Sequence, residues 1–349
     1  MRAFLAGLAL VLAITGAQAQ STTTPAPAAS AVTELPAVSV SGVQPGPGLW
    51  KVSRSDHVLW VLGTLPNLPA AVQWRADEVD RVLGEAGALL LPPRLDVKVD
   101  SGFFGKLFLL PSALSARKNP DGKTLQEVLP APLYARWAVL KAKYIGRDEG
   151  IERWRPLFAA RELYKQALKH SGLRSGGQIT ATVRSLAEGH GVRVVSTDYR
   201  LEIREPREVL KIFKAQAPED VACFARTLDS VEHDLPLIAQ RAAAWATGDI
   251  ATLRALPDSH HRDACIGALS DSGFARELGI DDVPGRLEAV WLAAAEDALA
   301  RYPVSVAILP MEEVLDTDGY LAKLAARGYR IEPPDADAET PAPAASAGR

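Results

Sequence analysis

The chain has 349 residues, 48% of them hydrophobic and 23% charged, which suits a globular protein with a sizeable core and allows one large domain or two small ones. A formal net charge of −3 and a pI near 6.1 leave no basic footprint, which argues against a nucleic-acid partner. In chain order, Met1-Arg2-Ala3, the apolar run from Phe4 to Ile14 and the Ala17-Gln18-Ala19 site form the three parts of a signal peptide over residues 1–19. A membrane anchor is the competing reading, but the apolar run is shorter than the ~20 residues a spanning helix needs. No cysteine follows the cleavage site, which argues against a lipoprotein, and no later stretch is long and apolar enough to span. The expected location is therefore periplasmic or secreted, with no transmembrane segment after cleavage.

Residues 20–47 are rich in Thr, Pro, Ala, Ser and Gly and lack aromatic residues, as does the tail from 333 to 349. Such segments cannot bury enough apolar surface to offset their ordering entropy, so both are expected to be disordered. The folded part is then 48–332. Leu49 to Ser53 reads as a strand, with a hairpin turn at Ser53-Arg54-Ser55-Asp56. The strand after it, Val58-Leu59-Trp60-Val61-Leu62, ends in Gly63-Thr64-Leu65-Pro66, and strands that end this way deliver a loop to the rim of an open sheet. Ala70 to Glu85 has helical spacing, and Ala88 to Leu91 is a short apolar run stopped by Pro92-Pro93, consistent with a buried strand. Phe103 to Leu110 fits a strand or a short helix. Helices are expected over Lys123–Leu129, Pro132–Lys143, Leu157–Lys169 and Gly177–Gly189, a strand over Val192–Ser196, and one long helix from Pro218 to Thr247. In Ala244-Trp245-Ala246-Thr247-Gly248-Asp249 the glycine is a helix stop and Asp249 a cap for the next helix. A helix over Leu287–Arg301, a buried strand over Val304–Leu309, and a helix, glycine stop and final strand over Gly319–Ile331 complete the chain. The fold class is α/β: a mixed central sheet covered by helices, with a large helical insertion.

Leu49-Trp50-Lys51-Val52, Leu62-Gly63-Thr64-Leu65 and Ala244-Trp245-Ala246-Thr247-Gly248-Asp249 resemble the TraB/GumN family, which includes the Tiki-type metalloproteases. The resemblance covers nearly all of 48–332 and implies an α/β core related to the erythromycin-esterase and ChaN-like fold. It also implies a Gly-Thr-x-His step where this chain has Gly63, Thr64 and then Pro66, and a second histidine where it has Pro310. The place of the glutamate implied at the end of the short strand is taken by Pro92 or Pro93, and the acid implied after the Val192–Ser196 strand leaves only Asp198 as a replacement. Proline carries no side-chain atom that can hold a metal, so neither a metal nor another cofactor is expected at these positions. Glu312-Glu313, with Asp316 and Asp318, forms an acidic patch beside Pro310, read either as part of a cleft rim or as solvated helix-capping acids.

Other chemistry is weakly represented. Gly-x-Ser-x-Gly, Walker and Gly-x-Gly-x-x-Gly patterns are absent. His260-His261 with Asp258 and Asp263 is the nearest approach to a metal cluster, but adjacent side chains point apart. The cysteines, Cys223 and Cys265, form an even pair in an exported chain, so a disulfide is expected over two buried thiols. Three functions follow. The first is an exported, non-catalytic family member that binds an unknown ligand or envelope protein through the old cleft, with Gly63, Thr64, Pro66, Pro92, Asp198, Pro310 and Glu312 lining it. The others are a metal-dependent peptidase or hydrolase using residues not yet identified, and a structural envelope scaffold.

Overall fold

The computed structural model describes residues 43–334 apart from 71, 100–114, 176, 204, 216 and 258–281. The signal peptide, most of the leader, Phe103–Leu110, His260, His261 and Cys265 lie outside the described residues. No helix among the described residues is long and apolar enough to cross a membrane.

The centre is a six-stranded sheet in the order β12-β2-β3-β11-β6-β9. Its strands are β2 (Leu49–Arg54), β3 (His57–Thr64), β6 (Ala88–Leu90), β9 (Arg193–Val195), β11 (Val304–Pro310) and β12 (Arg330–Glu332). The hairpin from β2 to β3 turns on Ser55 and Asp56, and Ser55 takes the left-handed φ of 56° that a tight hairpin asks of its first turn residue. β12 is antiparallel to β2, and β3, β11, β6 and β9 run parallel. Parallel strands need crossovers that place helices over their faces, which is why they read as unbroken apolar runs. Accordingly, Val306 to Leu309 and Ala88 to Leu90 are completely buried. The Val283–Arg301 helix packs on β3, β6 and β11, and the Asp77–Leu83 helix on β11 and on the Gly177–Gly189 helix.

The helical insertion has its own packing. The Pro156–His170 helix lies against Ala131–Tyr144 and Ala217–Asp229, with Trp137 and Phe224 tilted at 5.4 Å between centroids. The long helix expected over Pro218–Thr247 is present as Ala217–Asp229, a π-helical turn at Ser230–Asp234 and Leu235–Thr247. Gly248 stops it at a φ of 75°, and Asp249 accepts from the Thr252 N–H at 2.9 Å, as the local residues require.

Three expectations change. The helix over Ala70–Glu85 shrinks to Asp77–Leu83, because β4 (Asn67–Pro69) pairs with β8 (Leu173–Ser175) and β5 (Gln73–Trp74) with β1 (Val43–Gln44). Helical spacing in one segment cannot reveal partners that lie elsewhere in the chain. Second, β1 lies within the segment expected to be a leader to residue 47; Gly46 donates its N–H to the Ala246 carbonyl at 3.0 Å. Third, β7 (Arg94–Val99) and β10 (Asp198–Ile203) form a separate parallel ribbon that the sequence did not suggest.

Candidate functional site at the carboxyl ends of the strands

β3, β11, β6 and β9 are adjacent and parallel, so their carboxyl ends form one rim. All seven residues singled out in the sequence fall at or just beyond those ends. Gly63 and Thr64 close β3, with Pro66 two residues on; Pro310 closes β11, with Glu312 in the helix that follows. Pro92 comes just after β6 and Asp198 just after β9. Pro310 stands in register with Thr64, and Leu309 with Gly63. In open α/β sheets this rim is where ligands bind.

The rim beneath Gly63 is filled. Met311 is fully buried, and a Cβ on residue 63 would fall 2.5 Å from its Cε and 2.8 Å from its Sδ. Any side chain at 63 would have to displace the end of that methionine. The Gly63 carbonyl accepts a hydrogen bond from the indole Nε1 of Trp245 at 2.8 Å, and Trp245 in turn packs on Trp74 with 6.0 Å between centroids. Trp245 thus does more than fill space: it ties the end of the long helix to the end of β3. Thr64 Oγ1 donates to the Leu309 carbonyl at 3.4 Å, and Thr197 Oγ1 to the Leu91 carbonyl at 2.8 Å, stitching neighbouring strand ends together.

Pro310 suits its place because it is the last strand residue and the N-cap of Met311–Leu315, where a fixed φ of −54° costs nothing. Pro66 is exposed, and Pro92 is half-buried. Asp198 faces Arg94 across the ribbon, with Arg94 Nε 3.5 Å from its Oδ1.

The polar part of the rim is the acidic group after β11. Burial, and then the carboxylates of Glu312, Asp316 and Glu288, push Glu313 up to about 7, with Lys323 opposing. Lys323 donates to Glu288 at 2.7 Å and lies 3.7 Å from Asp318. Burial, and then the carboxylates of Glu313, Glu288 and Glu312, raise the Tyr320 phenol well above its usual range. A carboxyl poised near neutrality can donate or accept a proton at physiological pH. Glu312 and Glu313 were visible in the sequence; Glu288, Tyr320 and Lys323 come from two other helices, and no local signal marks them.

The histidines are scattered. His190 Nε2 lies 2.8 Å from Asp80 Oδ1, His233 lies 3.8 Å from Glu232, and His170 packs edge-on to Tyr144. Among the described residues no three His, Cys, Asp or Glu side chains are grouped so as to hold a metal ion. Cys223 is buried in the Ala217–Asp229 helix.

No curated protein and no solved structure matches the chain. The model of the TraB/PrgY/gumN family does match, over residues 48–333, which spans the whole central sheet and the helices upon it. This chain belongs to the TraB/PrgY/gumN family.

Proposed function

We propose that this family member is an exported, non-catalytic protein that binds a ligand or an envelope protein at the carboxyl rim of its central sheet. The observation that carries this reading is the pair of prolines. Positions 66 and 310, where the family resemblance implies histidine, offer no ligand atom, and Pro310 stands in register with Thr64 at the rim. Met311 and Trp245 packed beneath the strand ends fit a rim kept for shape and stability.

Elemental analysis of protein purified without chelators tests the non-catalytic half, with far less than one zinc or manganese per chain expected. About one ion per chain, lost together with peptide cleavage on chelation, would overturn it. Export is tested by N-terminal sequencing of envelope-fraction protein, which should begin at Gln20; an intact Met1 would contradict it. Pull-down from envelope extract separates a binding protein, which retains a partner dependent on the rim, from an inert scaffold.

A second reading, a hydrolase or peptidase, draws on Glu313, whose carboxyl is poised near neutrality beside Glu312. It requires peptide cleavage that Glu313→Gln abolishes.

A further inference from the structure

Away from the strand-end rim, within the helical insertion, lies a cavity of about 660 Å³ lined by Ser115, Lys118, Asn119, Pro120, Gly122, Arg153 and Arg155. We propose that it is a binding site for a small organic anion bearing a phosphoryl or carboxylate head.

Two segments far apart in the chain build it. Lys118 and Trp154 form an antiparallel bridge, with the Asn119 N–H donating to the Arg153 carbonyl at 2.9 Å and the Arg155 N–H to the Arg117 carbonyl at 2.8 Å. This rung brings Arg117, Lys118, Arg153 and Arg155 together in a chain whose net charge is negative. Arg117 stacks over the Trp154 ring at 4.1 Å. Arg155 is fully buried and grips Asp220 in bidentate fashion, Nε to Oδ2 at 2.6 Å and Nη2 to Oδ1 at 3.0 Å.

That ion pair neutralises itself and acts as a rigid wall, so the net charge of the lining is carried by the exposed cations of Lys118 and Arg153, opposed from outside the lining by Asp121 in the same loop and by Glu127, which lies within electrostatic reach of Arg153. None of the described lining residues is acidic. Arg155 is also the N-cap of the Pro156–His170 helix and makes no side-chain cap bond, so the positive end of that helix acts in the same sense as those cations. On the other wall, Asp121 and Gly122 hold left-handed φ values of 57° and 69°, and the Asn119 amide donates to the Lys123 carbonyl at 3.1 Å, which fixes the loop. Pro120 and the aliphatic stems of Lys118 and Arg153 supply apolar surface for a carbon skeleton. Oxyanion recognition by Arg and Lys beside an apolar wall selects an organic anion over a bare ion.

Phenyl phosphate, benzoate and inorganic phosphate, titrated calorimetrically into the mature protein, test this. Saturable binding of phenyl phosphate or of benzoate is expected; whichever binds identifies the head group. Lys118→Gln with Arg153→Gln, both exposed and outside the Arg155–Asp220 pair, should weaken it by about tenfold or more, the loss expected of charge-assisted contacts. Lys98→Gln with Arg193→Gln removes the same charge elsewhere and should change affinity less than about twofold, as screened distant charges do. Absence of saturable binding, equal loss in both pairs, or inorganic phosphate binding as tightly as phenyl phosphate would overturn the proposal.

Discussion

The indole N–H of Trp245 donates to the carbonyl of Gly63 across 182 positions of sequence, at 2.8 Å and out of contact with water. A buried carbonyl deprived of its donor keeps its desolvation cost. Trp245→Phe should therefore destabilise the protein by about 1–3 kcal/mol from the lost bond, with a further packing loss. Urea denaturation should show a lower midpoint at unchanged slope. A loss below about 0.5 kcal/mol, the scale of an ordinary surface change, would mean that the bond does not stabilise the rim.

Gly63 and Met311 should be coupled. The Cβ of Gly63→Ala would press on the Met311 thioether, so a destabilisation near the lower end of the ~1–3 kcal/mol range for overpacking is expected, because methionine adapts. In a Met311→Ala background, itself costing about 2–5 kcal/mol, the same glycine change should be nearly free. A double-mutant cycle reads the difference; strictly additive effects would place the strain elsewhere.

Glu313 gives the stability a pH dependence of defined sign. Its folded pKa of about 7 lies above the ordinary value of 4.5. The folded state therefore favours the protonated acid, and the stabilisation is fully present below about 4.5 and lost as pH rises through about 7. Glu313→Gln, which mimics the neutral form, should melt higher than the parent at about pH 8, with the gap closing towards pH 4.5. Melting curves across that range are the measurement, and a gap independent of pH would remove Glu313 from the account.

The cysteines carry the remaining prediction. Cys223 is buried near the start of the long helix, and pairing with Cys265 would close a loop worth about 4 kcal/mol in the chain-entropy description. Thiol labelling of unreduced, denatured protein should give almost no signal. Two reactive thiols per chain would refute the pairing.

Local signals in the sequence were enough for the elements whose causes are local. Val304 to Leu309 and Ala88 to Leu90 are apolar runs of strand length, and each became a buried strand. Gly248 and Asp249 act within a few residues of themselves, so the stop and the cap they imply are where they fall. The prolines at 66, 92 and 310 could be seen as departures from a family pattern, but not as neighbours. Their gathering on one rim depends on the strand order β3-β11-β6-β9, which is set by pairing between segments 105 to 246 residues apart and by the helices that cross between them. The same holds for the β7–β10 ribbon, the bond from Trp245 to Gly63, and the meeting of Glu313 with Glu288 and Lys323. Period and propensity act over a turn or a few strand residues, whereas these contacts are chosen by burial of the whole core, so only the tertiary structure decided them.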